Sequence, residues 1–404
     1  MESFTVYEFC NQISRNSFCS GETEWQRRVV TGLQPTGGLH IGNYYGAIRN
    51  CIQLQEKGED IMIFVADLHC LTTQNDPSAL QENVLELAAL LLASGVDPER
   101  STLFVQSAVP RHAELCWLLA CLATQARLAH LPQYKEKAAH MKEVPVGLLL
   151  YPVLQAADVL VYRGTHVPIG ADQLQHLQIA SQLVKTFHHR YGRAFPVPRP
   201  LLTGDGGDRL RSLRDPTKKM SKSDPNAKSR ILLSDSDDVI KLKIKKAVTD
   251  FTPQVSYSPE TRPGIANLVR LHCLATGLLP EEAVEEAEAL DTVHYKALVA
   301  ETLCDALRPV RTRAAELRAR PALLRDVLAL SHQRHQFSQQ VNGLRHRLGL
   351  LFRGEGAAHG RLRQQLLGGE PRPVALLPAR SRRPFRAHVV LQQRRLPLVV
   401  GVAA

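Results

Sequence analysis

No stretch of about 18 uncharged apolar residues occurs in this 404-residue sequence, which argues against a membrane-spanning helix. Paired cysteines are missing too. The eight cysteines, at positions 10, 19, 51, 70, 116, 121, 273 and 304, include no CxxC pair. No Cys/His cluster has zinc spacing either, so the sequence predicts reduced thiols rather than a disulfide framework or a zinc site. The first 24 residues lack the marks of a targeting segment. Their four acids and one Arg do not fit an Arg-rich, acid-poor mitochondrial presequence, and their apolar centre is too short for a secretory signal. At the other end acids are scarce. Residues 353–404 hold ten Arg against Glu355 and Glu370, and supply +8 of the net charge of +11. The basic balance therefore says little about the folded body. Internal repeats are absent, and no convincing Ser-His-Asp or paired-carboxylate constellation stands out.

What is present is an alternating pattern. Three short β-type runs, Arg28–Leu33, Ile61–Ala66 and Thr102–Val105, are separated by the helix-length segments Ile41–Gln55 and Ser78–Ala93. The second helical segment carries Leu80, Val84, Leu87 and Leu91 at helical spacing, with Asp76 before Pro77 as its expected N-cap. Strands alternating with helices predict βαβ units, an α/β fold with a parallel sheet. The stretches Val146–Tyr162 and Asp172–Tyr191 continue the mixed pattern. After about residue 235 the β signal fades. Segments 236–247, 264–276, 280–290, 294–307, 310–319 and 321–349 read as helices, broken by Gly277, Pro309 and Pro321. The expected organisation is an extension over 1–26, an α/β domain over 27–235, a helical domain over 236–352 and a poorly packed tail over 353–404.

Two segments carry chemistry. After the first strand comes Gly32-Leu33-Gln34-Pro35-Thr36-Gly37-Gly38-Leu39-His40-Ile41-Gly42-Asn43-Tyr44. A strand running through a glycine-rich turn into a helix near Ile41 points backbone N–H groups and the positive helix end at an anion. His40 and Asn43, three apart on the opening turn, can face the same phosphate. The second segment is Lys218-Lys219-Met220-Ser221-Lys222-Ser223, in a loop of Asp, Pro and Asn. Cations combined with hydroxyls suit a triphosphate. Taken singly, an ordinary turn and a solvated charge run would account for them equally well.

Together the two segments resemble the HIGH and KMSKS motifs of class I aminoacyl-tRNA synthetases, as His40-Ile41-Gly42-Asn43 and Lys219–Ser223. The wording of the segments is similar to the tryptophanyl branch. GLQPTGGLHIGNYYGA, QYKEKA (133–138), GLLLYPVLQAADVLVY (147–162), PIGADQLQH (168–176), DPTKKMSKSDPNA (215–227) and KKAVTDF (245–251) carry the likeness, over about residues 27–352. Thr36 stands where Ser is common, Gln155 where bacterial members often have Met, and Ala171 where an acid is usual.

The resemblance implies a Rossmann-like catalytic domain with a helical tRNA-binding domain. It implies ATP with Mg²⁺, L-tryptophan and tRNA(Trp) as reactants, a homodimer without membrane association, and a mitochondrial matrix location. Gln34, Pro35, Thr36, Gly42, Asn43, Gly170, Ala171, Asp172, Leu210 and Lys219-Met220-Ser221-Lys222-Ser223 would bind ATP, with no metal-ligating residue. His40, Asn43, Lys137, Lys219 and Lys222 would serve the chemistry, Lys137 reaching toward the leaving phosphates. Asp158 would accept the indole N–H, with Tyr151 and Gln173 near the amino-acid end. The sequence supports Asp158 separately, because a carboxylate inside an apolar stretch needs a donor. A tyrosine-specific enzyme of the same fold and a catalytically impaired RNA-binding paralogue are the alternatives. The DQLQH segment and the intact KMSKS favour tryptophan.

Overall fold

Alternation along the first strand decides how the molecule is layered. Val29 and Val30 of β1 (Val29–Leu33) are both fully buried, but they enter two different hydrophobic clusters. In β2 (Ile61–Val65), Ile61, Ile63 and Val65 join the Val29 cluster, whereas Met62 and Phe64 join that of Val30. In β3 (Thr102–Val105), Leu103 and Phe104 divide the same way. Successive side chains on a strand point to opposite faces, so an uninterrupted apolar run is what a sheet covered on both sides requires. The computed structural model describes residues 25–72, 77–139, 141–170, 173–202, 210–222 and 224–334. Residues 1–24 of the extension, Asp76, Ala171, Asp172, Ser223 and the Arg-rich tail lie outside the described residues.

The sheet has five parallel strands in the order β3-β2-β1-β4-β5. The last two, β4 (His166–Ile169) and β5 (Arg199–Leu202), are absent from the sequence reading. Each is four residues long and contains a proline, Pro168 or Pro200. Proline removes a ladder donor and argues against a strand unless the strand sits at an edge or leaves its neighbour. Both conditions hold here. β5 is an edge strand, and β4 pairs with β1 only at Val29↔His166.

The helix expected over Ile41–Gln55 is present as α1 (Ile41–Asn43), a π turn (Tyr44–Ile48) and α2 (Arg49–Glu56). Single π turns inside helices are frequent at functional sites. The other helices that matter for the site are α3 (Asp67–Cys70), α4 (Pro77–Ala93), α5 (Arg111–Ala120), α6 (Gln125–Ala129), α7 (Pro132–Ala138), α8 (Val146–Leu160) and α9 (Leu174–Tyr191).

Beyond residue 236 lie α10 (Asp237–Lys245), α11 (Pro263–Thr276), α12 (Pro280–Glu286), α13 (Thr292–Arg318) and α14 (Pro321–Arg334). The break expected at Pro309 does not occur: α13 runs through it. An interior proline removes one backbone bond. Leu303, Cys304, Leu307, Val310 and Ala314 are buried on either side of it, and α13 packs against α4, α10 and α11. Tertiary burial outweighs the local penalty. Ile240, Leu268, Tyr295, Leu307 and Leu324 belong to the same cluster as Val29, so the helical part builds on one face of the sheet. Among the described residues, no helix is long and apolar enough to cross a membrane.

Candidate active site

Open parallel sheets bind ligands at the carboxyl ends of their strands, where the strand order reverses. Here the reversal falls between β1 and β4. The carboxyl end of β1 leads into Gln34, Pro35 and Thr36, and that of β4 into Gly170. The Thr36 N–H donates to the Gln34 carbonyl at 2.9 Å, and Gly37 turns the chain with φ of 89°. That left-handed value strains any residue with a Cβ. The chain then enters α1. Asn43 Oδ1 accepts from the His40 N–H at 3.3 Å, and the Asn43 N–H donates back to the His40 carbonyl at 2.9 Å.

Backbone pairing delivers the lysine loop to the same place. The Ile41 N–H donates to the Ile231 carbonyl (2.9 Å) and the Leu233 N–H to the Leu39 carbonyl (2.8 Å), laying residues 231–233 along the turn. Upstream, the Met220 N–H donates to the Leu210 carbonyl and the Ser212 N–H to the Lys218 carbonyl, both at 2.9 Å. Asn267 fixes this hairpin by bonding both backbone groups of Arg211, at 2.9 and 3.0 Å. Leu210 and Met220 are buried, Lys219 is exposed, and Gly42, Ser221 and Lys222 are half-buried.

His40 is the focus of this charge. It is 6% exposed, and its Nδ1 is buried without a hydrogen-bond partner among the described residues. Burial first, then the positive charges of Lys222, Arg230 and Lys219, lower its pKa to about 4. A neutral imidazole with an unpartnered Nδ1, at a helix N-terminus among three cations, fits an incoming polyphosphate. Burial also pulls the Lys222 ammonium below its usual value, against the opposing pull of Cys70 and Glu86.

This arrangement has a pH signature. Between about 6.5 and about 4 the unfolded chain takes up a proton on His40 that the folded chain refuses. Stability from this group is therefore complete above pH 6.5 and falls as pH drops to about 4, by at most about 3 kcal/mol. His40→Asn is expected to flatten the decline of Tm over that window. An unchanged slope would show that His40 is solvated and titrates normally.

The second half of the site surrounds Asp158, which is 1% exposed. Its Oδ1 accepts from Gln106 Nε2 (2.7 Å) and His112 Nδ1 (2.6 Å), and its Oδ2 from His69 Nε2 (2.7 Å). Burial by itself would raise the Asp158 pKa. The hydrogen bonds from His112 and His69 outweigh it and hold the carboxyl below its ordinary value. The donors come from strand ends and the helices that follow them: His69 from α3 after β2, Gln106 directly after β3, and His112 from α5. Further along, Phe64 lies over Gly32, where a Cβ would fall 2.3 Å from the ring. The same ring stands 5.7 Å from that of His112.

Tyr151 lies on α8 two turns before Asp158, hence on the same face. Its hydroxyl donates to Gln133 Oε1 (3.1 Å) and meets His176 Nε2 (3.0 Å), and His176 Nδ1 meets Gln173 Oε1 (2.8 Å). Lys137 Nζ stands 5.2 Å from the Tyr151 ring centroid. The structure thus gathers the expected residues into two groups. His40, Asn43, Leu210, Lys219, Met220 and Lys222 form one, and Lys137 of α7, Gln173 before α9 and Tyr151 form another, Tyr151 on the helix that carries Asp158. His69, Gln106, His112 and Tyr162 are absent from the sequence reading. The signal for them was the buried acid itself, whose need for donors points to polar residues at strand ends.

Residues 23–307 match the family model of tRNA synthetases class I (W and Y). The chain is 44% identical over 307 residues to the tryptophan–tRNA ligase of Caulobacter vibrioides, covering 75% of this chain and 89% of that protein. It is 43% identical over 285 residues to the tryptophan–tRNA ligase of Caldanaerobacter subterraneus subsp. tengcongensis, covering 70% and 86%. Among solved structures it is similar to tryptophanyl-tRNA synthetase from Campylobacter jejuni complexed with ADP and tryptophan. That match has a TM-score of 0.68 and 30% identity over 80% of this chain and all of the other. On the parallel sheet, the paired motifs and these matches, the chain belongs to the class I tRNA synthetases of tryptophan and tyrosine, in the tryptophan–tRNA ligase branch.

Proposed function

We propose that this chain activates L-tryptophan with ATP and transfers it to tRNA(Trp). The observation that carries the reading is the buried His40, its Nδ1 unpartnered, at a helix N-terminus, among Lys219, Lys222 and Arg230, at the reversal point of the sheet. In the first step a carboxylate oxygen of tryptophan attacks the α-phosphorus, and the bond to the departing pyrophosphate breaks. In the second, a terminal ribose hydroxyl of the tRNA attacks the acyl carbonyl and AMP departs. Positioning and charge stabilisation dominate such displacements. His40, Asn43, Lys219 and Lys222 supply fixed donors and charge, and the 34–36 turn and Gly170 flank the nucleotide, with Ala171, Asp172 and Ser223 assigned there by resemblance. Lys137 is assigned to the leaving phosphates.

Asp158 is assigned to the ring N–H of tryptophan. A carboxylate has about two acceptor positions per oxygen. Oδ1 takes two donors, whereas Oδ2 takes one and keeps capacity for another. Tyr151 and Gln173 are assigned to the amino-acid end. Mg²⁺ enters with the ATP phosphates as part of the substrate, and among the described residues no His, Cys, Asp or Glu group of three or more forms a metal cage.

A homodimer and a mitochondrial matrix location, otherwise a cytoplasmic one, complete the proposal, both resting on the resemblance of the sequence motifs alone. Sedimentation of the purified chain and imaging of a tagged copy test them. The function itself is tested by charging total tRNA with labelled tryptophan. ATP-dependent formation of an alkali-labile ester on tRNA(Trp) is expected, and labelling of tRNA(Tyr) with tyrosine would reassign the branch.

A further inference from the structure

Asp158 and Tyr162 lie one helical turn apart, Asp158 within α8 and Tyr162 just past its end, and they grip the two nitrogens of His112. His112 Nδ1 is 2.6 Å from Asp158 Oδ1, and His112 Nε2 is 2.5 Å from the Tyr162 hydroxyl. The imidazole is fully buried and packed by the rings of Phe64, Phe104 and Tyr162. An ionised carboxylate only accepts, so Nδ1 carries a proton and donates it. Burial, reinforced by the Asp158 charge, raises the Tyr162 pKa well above its ordinary value, so the phenol keeps its proton and donates to Nε2. The order is Tyr162 O–H to His112 Nε2, then His112 Nδ1–H to Asp158 Oδ1.

We infer that His112 and Tyr162 are positioning residues for amino-acid choice, locking the Asp158 carboxylate so that Oδ2 faces the ring N–H of the substrate. The inference rests on the proposed reading of Asp158 as acceptor of that N–H. Without His112 the carboxylate would keep one donor on each oxygen, Gln106 on Oδ1 and His69 on Oδ2. The second donor to Oδ1 narrows the tilt those two allow, and Tyr162 fixes the tautomer of that donor, as outer partners do for metal-ligating histidines. Neither residue needs to touch the substrate.

The probe is 3-benzothienyl-L-alanine, a tryptophan isostere with sulfur in place of the ring N–H. ATP–pyrophosphate exchange gives kcat/KM for both amino acids. The folded enzyme is expected to prefer tryptophan by about a hundredfold or more, because the isostere leaves the second acceptor position of Oδ2 unfilled. In Tyr162→Phe that preference is expected to fall about tenfold or more, with KM for ATP unchanged. In His112→Asn, adding Tyr162→Phe should produce no further loss, because the two act through one chain. A merely structural role would lower Tm and kcat without moving the ratio.

An unchanged ratio in Tyr162→Phe, or additive losses, overturns the inference while Asp158 keeps its assignment. A folded wild type that does not discriminate between the two compounds overturns the Asp158 reading and this inference with it. Should the variants fail to fold, ¹⁵N-histidine NMR of the wild type decides. The resonance assigned to His112 should show a protonated Nδ1 and a bare Nε2, and the opposite tautomer contradicts the inference.

Discussion

Asp158→Ala is expected to lower activation of tryptophan by several orders of magnitude and to narrow its lead over phenylalanine, with ATP binding close to normal. A site built around one hydrogen bond to a substrate rejects a ligand lacking the donor by roughly four to five orders of magnitude. Asp158 has the makings of such a site. It is buried, it is held ionised by His112 and His69, and its Oδ2 keeps capacity for a further donor. Phenylalanine brings no N–H, so in the wild type it leaves a buried carboxylate oxygen underused. In the alanine variant that penalty disappears for phenylalanine, while the indole N–H of tryptophan loses its acceptor. The substitution also strips an acceptor from Gln106, His69 and His112, at about 1–3 kcal/mol for each group left unpaired. Tm must therefore be measured beside the kinetics. Exchange rates with tryptophan, tyrosine and phenylalanine for both proteins are the readout. A folded variant with the wild-type preference would make Asp158 a structural residue.

Lys222→Ala is the second large effect. Its ammonium is half-buried, its charge acts on His40, and its loop is pinned by the Leu210–Met220 hairpin and by residues 231–233. Charge moves on the phosphates as pyrophosphate departs, and a fixed cation in a partly dry site stabilises it more than water does. Single-turnover adenylate formation is expected to slow about a hundredfold or more, in line with loss of one charge-stabilising donor. Tryptophan affinity, assigned to Asp158, should hardly change. Equal single-turnover rates in variant and wild type would remove Lys222 from the chemistry. Lys219 is exposed, so its variant tests whether charge without burial counts as much.

Much of this was legible in the residues, for identifiable reasons. β1, β2 and β3 carry uninterrupted apolar runs because both faces of the sheet are covered, and such runs are visible without any partner. The two motifs were visible because their chemistry sits in contiguous residues. β4 and β5 were hidden because HVPI and RPLL are short and contain proline, and only their neighbours make them strands. The join across Pro309 was hidden because burial along α13, not local propensity, maintains the helix. The Asp158 network was hidden for a similar reason. His69, Gln106 and His112 are 89, 52 and 46 positions from Asp158, and nothing in the sequence pairs them. Only the parallel sheet, by bringing the ends of β2 and β3 to one edge, converts an isolated acid into a prepared acceptor.

In the proposed function, one site joins an ATP-binding helix N-terminus to an indole-selective acceptor. ATP–pyrophosphate exchange with each of the twenty amino acids in turn tests it most directly. Strong exchange is expected with tryptophan, and at least about a thousandfold less with tyrosine or phenylalanine. Exchange driven best by tyrosine would contradict the assignment of Asp158 while sparing the nucleotide site, and a folded protein that exchanges with none of the twenty would contradict the proposed function as a whole.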